Sequence, residues 1–131
     1  MKNLCLFGDS ISKGVVIDCA KNRYAMTTKC FANMLSGYAS WLNITNFSMF
    51  GCTISKGRSL IIRHMKDVEN CDITVLEYGG NDSDHNWAEI AENPEGAHVP
   101  KTTLEDFTTN YREIICGLQA MGKKIVILNL P

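Results

Sequence analysis

Leu4-Cys5-Leu6-Phe7 is an unbroken apolar run that stops abruptly at Gly8-Asp9-Ser10. A run of this length bounded by a glycine turn reads as a short buried strand. Gly8 ends the strand, and a tight turn at Asp9-Ser10 lifts the serine hydroxyl to the strand's end, where a substrate can reach it. The residues that follow can start a helix, so the Ser10 amide points into the same space as the hydroxyl. A nucleophile and an oxyanion donor on one residue are what acyl transfer needs. Asp and Ser are also ordinary turn and cap residues. The tripeptide alone therefore decides nothing.

The rest of the chain repeats the strand-turn-helix theme. Residues 15–27 have no clear period and read as a loop over the turn. Thr28 is placed to cap a helix whose apolar stripe is Phe31, Met34, Leu35, Tyr38 and Leu42. Residues 43–48 form a second, less apolar strand nearer an edge. Phe50-Gly51-Cys52-Thr53 makes the next turn, with Thr53 as N-cap of a helix over 54–69 that carries Leu60, Ile61, His64, Met65 and Val68 on one side. His64 on that side reads as a packed or rim histidine. Ile73 to Tyr78 is the best strand pattern in the chain, and it runs into Gly79-Gly80-Asn81-Asp82. The connection from Ser83 to Thr103 is long for a compact domain, and such loops are commonly functional or partly structured. Thr102-x-x-Glu105 matches a capping box before a helix with Leu104, Phe107, Tyr111, Ile114, Ile115 and Leu118 on one face. Gly122 suits the position after that helix, and Lys124 to Leu130 reads as a fourth strand.

Strands separated by helices imply right-handed parallel crossovers, with helices on both faces of the sheet. The expectation is a single α/β domain over residues 1–131. Thirteen basic and fourteen acidic residues leave a net charge of −1, which argues against a nucleic-acid or anionic-membrane partner. The first apolar run is too short for a secretion signal or a membrane span. The six cysteines form no Cys-x-x-Cys pair. They read as reduced thiols of a cytoplasmic protein rather than disulfides or metal ligands.

In open parallel sheets, ligands bind beyond the carboxyl ends of the strands. Three strand ends here carry glycine and polar residues: Gly8-Asp9-Ser10, Phe50-Gly51-Cys52 and Gly79-Gly80-Asn81-Asp82. The Ser10 amide, the Gly51 amide and the Asn81 side-chain amide offer three donors for one oxyanion. Any one of these turns is explained by capping alone; three at matching strand ends favour a site. A nucleotide-binding module of similar layout competes with this, but no Gly-x-Gly-x-x-Gly or Walker pattern supports it.

Taken with their order, Phe7-Gly8-Asp9-Ser10-Ile11-Ser12-Lys13-Gly14, the Gly51 block within Asn46 to Thr53, and Gly79-Gly80-Asn81-Asp82 resemble the three leading blocks of the SGNH branch of the GDSL hydrolases. That resemblance implies a three-layer α/β/α, flavodoxin-like fold and a serine esterase or acylhydrolase activity. It implies Ser10 as nucleophile and Ser10, Gly51 and Asn81 as the oxyanion hole, with Asp9 and Asp82 in support. No metal and no cofactor are implied, and the partner is a small-molecule ester. The family's general base lies in a last Asp-x-x-His block, beyond the strand that Ile125 to Leu130 resembles. The 131 residues stop at Pro131 without that block, so the domain is expected to be truncated after its fourth strand and weakly active. Asp82-Ser83-Asp84-His85 also spells Asp-x-x-His, which makes His85 the local candidate base, with His98 behind it. In the family's strand order the fourth strand is an exposed apolar edge, and pairing into a homo-oligomer is expected there. The alternative function is a non-catalytic acyl- or sugar-binding domain of the same fold.

Overall fold

The apolar run at the amino terminus lies at the centre of the molecule. In the computed structural model, which describes residues 1–129, β1 (Lys2–Gly8) is flanked in parallel by β4 (Leu42–Asn46) and β5 (Ile73–Glu77). β6 (Lys124–Leu128) pairs in parallel with β5 and completes a four-stranded sheet of order β4-β1-β5-β6. Between the strands run α1 (Ser10–Lys13), α2 (Phe31–Tyr38), α3 (Ile54–Arg63), α4 (Met65–Asn70), α5 (Trp87–Glu92) and α6 (Leu104–Ala120). The two remaining strands, β2 (Val15–Asp18) and β3 (Arg23–Met26), form a separate antiparallel hairpin.

Side chains alternate across a strand, and β1 shows how this builds three layers. Cys5 and Phe7 point to one face, where they join Ile54, Leu60, Ile61 and Val68 of α3 and α4 and Ile114 and Leu118 of α6. Leu4 and Leu6 point to the other, where they meet Ala32, Ala39 and Leu42. β5 divides in the same way, with Leu76 in the first cluster and Val75 in the second. Fully burying a side chain such as Phe7 or Leu6 contributes about 1.5–3 kcal/mol over leaving it exposed. The sheet and α6 therefore match the expected α/β layering. Among the described residues no helix is long and apolar enough to cross a membrane.

Several local expectations are corrected. Residues 15–27 are not an open loop; they contain the β2–β3 hairpin. The second helix starts after Cys30, not Thr28, and ends at Tyr38, so Leu42 is the buried first residue of β4 rather than part of the helical stripe. The stripe Phe31, Met34, Leu35 and Tyr38 lies outward, with Tyr38 86% exposed. Ala32 is the helix's buried contact, because a small side chain lets the backbone sit close on Leu4 and Leu6. The helix over 54–69 is two helices broken at His64, whose backbone (φ −101°, ψ 28°) leaves the helical region. The His64 ring packs on Phe47 with centroids 4.2 Å apart and planes tilted by 34°, and its carbonyl starts α4 by accepting from the Asp67 and Val68 amides. The long connection from Ser83 holds α5. At the start of α6, Thr103 is the cap and accepts from the Asp106 amide at 3.1 Å, while Thr102 is committed elsewhere. Gly122 follows the α6 cap with φ 70°, as the sequence suggests. The fourth strand is described to Leu128; the expectation for Leu130 falls outside the described residues.

β6 is the sheet's last strand, and among the described residues no strand pairs with its outer edge. Val126 and Ile127 on it are half-exposed. Unpaired apolar edges template pairing with another chain. We expect the 131-residue chain to form dimers or larger species by light scattering, and Val126→Lys to shift it toward monomer. A monomer in the unsubstituted chain at tens of micromolar would remove edge pairing as a property of this strand.

Candidate active site

The carboxyl ends of β1, β4 and β5 meet at one end of the sheet, and the chain there is held by a small polar network. Gly8 comes first, because a Cβ at that position would lie 2.7 Å from Ser12 Oγ and 2.8 Å from Glu77 Oε2. Its neighbour Asp9 is buried and is the N-cap of α1, where Oδ1 accepts from the Ile11 amide at 2.8 Å. That cap leaves Ser10 as the first residue of α1, half-buried. Among the described residues no hydrogen bond engages the Ser10 hydroxyl, since those of the turn run to Asp9 and Ser12. α1 ends after one turn at Gly14, in the left-handed region at φ 85°. A Cβ there would meet Cys30 Cβ and the Thr27 carbonyl, both at 2.8 Å.

The second turn is tied to the first by four hydrogen bonds. Asn46 Nδ2 donates to the Ser12 carbonyl at 2.8 Å and Lys13 Nζ to the Ser48 carbonyl at 3.2 Å. The Phe47 amide donates to the Leu6 carbonyl at 2.8 Å and the Met49 amide to the Gly8 carbonyl at 3.0 Å. Gly51 then turns the chain with φ 64°, a conformation that disfavours any L side chain even where space is free.

Asn81 links the set. Its Nδ2 donates to Asp9 Oδ2 at 3.1 Å and to the Cys52 carbonyl at 3.3 Å, so one amide bridges the neighbours of Ser10 and Gly51. Asp82 does a different task. It is buried, and its two carboxylate oxygens accept from the Ile54 amide at 3.0 and 3.1 Å. Thr102 Oγ1 donates to it at 2.6 Å. Asp82 thus caps α3 from across the fold, where an anion complements the helix N-terminus. Thr53, at the N-cap position, makes no side-chain cap bond.

The histidines are engaged elsewhere. His85 lies beside Trp87, ring centroids 5.9 Å apart, and lines a cavity of about 460 Å³ with Tyr78, Asp82, Thr102, Phe107 and Tyr111. His98 Nε2 is 2.7 Å from the Asn93 carbonyl, and its Nδ1 is 3.6 Å from Glu89. His64 pairs with Asp67 at 3.1 Å. Among the described residues no hydrogen bond joins a histidine to Ser10. The sequence-expected Ser10, Gly51, Asn81, Asp9 and Asp82 all fall on the three turns at this end of the sheet.

Sequence reading missed Glu77, the last residue of β5, only 6% exposed beneath the Asp9-Ser10 turn. Its Oε2 accepts from Ser12 Oγ at 2.7 Å and from the Asp9 amide at 3.2 Å. A charged residue closing an otherwise apolar strand was the available signal. Burial pushes its carboxyl above its ordinary 4.5, against the lowering effect of the Ser12 and Asp9 hydrogen bonds. A carboxyl raised on folding stabilises the fold most below its unfolded pKa, and that contribution fades as pH rises through the folded value. The expected result is a Glu77-dependent loss of thermal stability as pH rises upward from about 4.5, flattened in Glu77→Gln. Melting curves at stepped pH check it, and parallel profiles for the two proteins would refute it.

No family model matches the chain, and a search of the curated proteins found no match. Solved structures do match. TesA superimposes with a TM-score of 0.71 at 19% identity, over 99% of this chain and 62% of that one. A lipase/acylhydrolase from Enterococcus faecalis gives 0.67 at 20% identity, over 97% of this chain and 56% of the other. The acetyl xylan esterase AlAXEase gives 0.63 at 22%, over 95% and 56%. The chain thus spans 56–62% of the length of these structures. The parallel sheet with helices on both faces, and its superposition on these enzymes, give the chain the α/β fold of the SGNH-type esterases and acylhydrolases.

Proposed function

We propose that this chain carries the nucleophile and oxyanion donors of a serine ester hydrolase acting on a small acyl ester. Ser10 Oγ attacks the ester carbonyl as its proton passes to a base. The Ser10 and Gly51 amides and Asn81 Nδ2 stabilise the resulting oxyanion, and collapse expels the alcohol. Water then attacks the acyl-serine and releases the acid. The observation that carries this reading is the Asn81 bridge between Asp9 and Cys52, which links the residue before Ser10 to the one after Gly51. The esterase and acylhydrolase names of the superimposed structures support the ester class.

In the family the sequence resembles, the base is the histidine of an Asp-x-x-His block that has no counterpart at the matching place in the 131 residues. His85 is the alternative within them. A cytoplasmic setting is part of the same reading, with Cys5, Cys30, Cys52 and Cys71 serving as small buried apolar side chains.

Added imidazole tests the arrangement by standing in for the base. With p-nitrophenyl acetate, the 131-residue chain is expected to hydrolyse slowly alone and to gain, over the hydrolysis by imidazole itself, a rate that rises with imidazole and is absent from Ser10→Ala. A His85→Ala variant that loses most of the unassisted rate would make His85 the base. An imidazole-dependent rate identical in Ser10→Ala would leave the fold as a non-catalytic acyl- or sugar-binding domain.

A further inference from the structure

We propose that the β2–β3 hairpin and Phe50 form the wall that receives the acyl part of the substrate, and that this wall selects acyl chains of several carbons over acetyl. The inference rests on Ser10 being the nucleophile and says what lies beside it.

The hairpin's register determines which side chains share a face. Val15 is opposite Met26, and Ile17 is opposite Tyr24. Strand alternation puts all four on one face, since residues two apart point the same way. Val16, Asp18, Arg23 and Ala25 occupy the other. One face is therefore wholly apolar and the other mixed.

The apolar face touches the turn that holds Gly51. Tyr24 meets Phe50 edge-on, ring centroids 5.1 Å apart and planes at 63°, and Phe50 immediately precedes Gly51. The hairpin's other end is anchored to the nucleophile turn. It starts directly after Gly14, and the Thr27 amide closes its base by donating to the Gly14 carbonyl at 2.8 Å. It thus leaves the helix that Ser10 opens and leans on the turn that holds Gly51. Ile11, next to Ser10, is a further exposed apolar side chain.

These side chains stay open to water: Ile17 62%, Tyr24 65%, Met26 60% and Phe50 55% exposed. Two-stranded hairpins are marginal alone, and one with a bare apolar face gains from any apolar partner that lies on it. A saturated acyl chain extending from a carbonyl held at Ser10 and Gly51 is the occupant whose position the two turns dictate. A buried methylene is worth about fourfold in affinity, and a wall open on one side returns part of that. The expected discrimination is on the order of tenfold between butyryl and octanoyl groups.

Binding is measured first without turnover, in Ser10→Ala, by amide NMR shifts on titration with sodium butyrate and sodium octanoate. Octanoate is expected to bind about tenfold more tightly, with the largest shifts at Ile17, Tyr24, Phe50 and Gly51. Tyr24→Ser and Phe50→Ser, both at exposed positions, are expected to bring octanoate down to the affinity of butyrate at unchanged melting temperature. Equal affinity for the two acids, or shifts confined to another face, overturns the proposal. So does a hairpin variant that alters only the association state, since the face would then serve a second protein chain. A second arm follows imidazole-assisted hydrolysis of p-nitrophenyl esters from acetyl to octanoyl. Octanoate binding at the hairpin with no Ser10-dependent hydrolysis leaves the wall in place and removes the esterase reading. Ser10-dependent hydrolysis indifferent to chain length does the reverse.

Discussion

Ser10→Ala is expected to abolish Ser10-dependent ester turnover and labelling by a fluorophosphonate while leaving the fold unchanged. The two halves of that expectation come from different observations. Among the described residues the Ser10 hydroxyl has no hydrogen-bond partner and the side chain is half-buried, so removing it opens no cavity in the core. The cap of α1 belongs to Asp9, and alanine is a better helix former than serine at the first helical position. Thermal midpoints should therefore agree within about 2 °C, the shift expected for a few tenths of a kcal/mol in a domain of this size. The chemical half is far larger. In a well-studied serine protease, removing the nucleophile costs on the order of 10⁶ in kcat. With the catalytic base supplied in full, a Ser10→Ala protein that kept its turnover of a simple acetyl ester would show that the nucleophile is elsewhere.

Asn81→Ala is expected to reduce kcat by about 10²–10³ with a much smaller change in KM, the usual result of deleting one oxyanion donor. In the proposed mechanism the donor becomes available by exchange of one existing bond. Both Nδ2 hydrogens are engaged, one on Asp9 Oδ2 at 3.1 Å and one on the Cys52 carbonyl at 3.3 Å. The longer bond, to an uncharged acceptor, is the one to be exchanged for the oxyanion, while the carboxylate keeps the amide oriented. The bond to Asp9 is charge-assisted and accordingly the stronger of the two. The same substitution removes two structural hydrogen bonds, each worth about 1 kcal/mol net, so the melting temperature should fall as well. Kinetics recorded well below the melting temperature separate the two effects. A variant with normal kcat at low temperature and only a lowered midpoint would make Asn81 a brace between turns.

The local pattern of the chain carried much of the architecture. Leu4 to Phe7 is apolar on successive residues because β1 is central and covered on both faces, and that demand can be read without knowing what covers it. The alternation of strands with helical stripes required parallel crossovers. Glycines at 8, 51 and 79 marked strand ends, since tight turns and left-handed backbone leave few other residue choices. These features depend on near neighbours along the chain, and periodicity reports them directly.

What the sequence left open depends on residues far apart in it. Asp82 caps α3 at Ile54, 28 residues earlier, so Thr53 is left in the cap position without the cap bond. Asn81 reaches Asp9 across 72 residues, and Glu77 reaches Ser12 across 65. In each case a side chain's partner is chosen by which strands lie side by side, and the order β4-β1-β5-β6 is a property of the packed sheet. The outward turn of Phe31, Met34, Leu35 and Tyr38 has the same origin. A helical stripe shows that one face is apolar, but the contact of Ala32 with Leu4 and Leu6 decides which face meets the sheet. The hairpin was invisible for the opposite reason: each strand has only four residues, and Val15-Val16-Ile17 shows no alternation that would mark a face, which the register of β2 against β3 and the contact of Tyr24 with Phe50 define instead. Backbone path, turns and buried strands were thus determined locally; the pairing of polar side chains across the turns, and with it the shape of the site, was decided by tertiary contact alone.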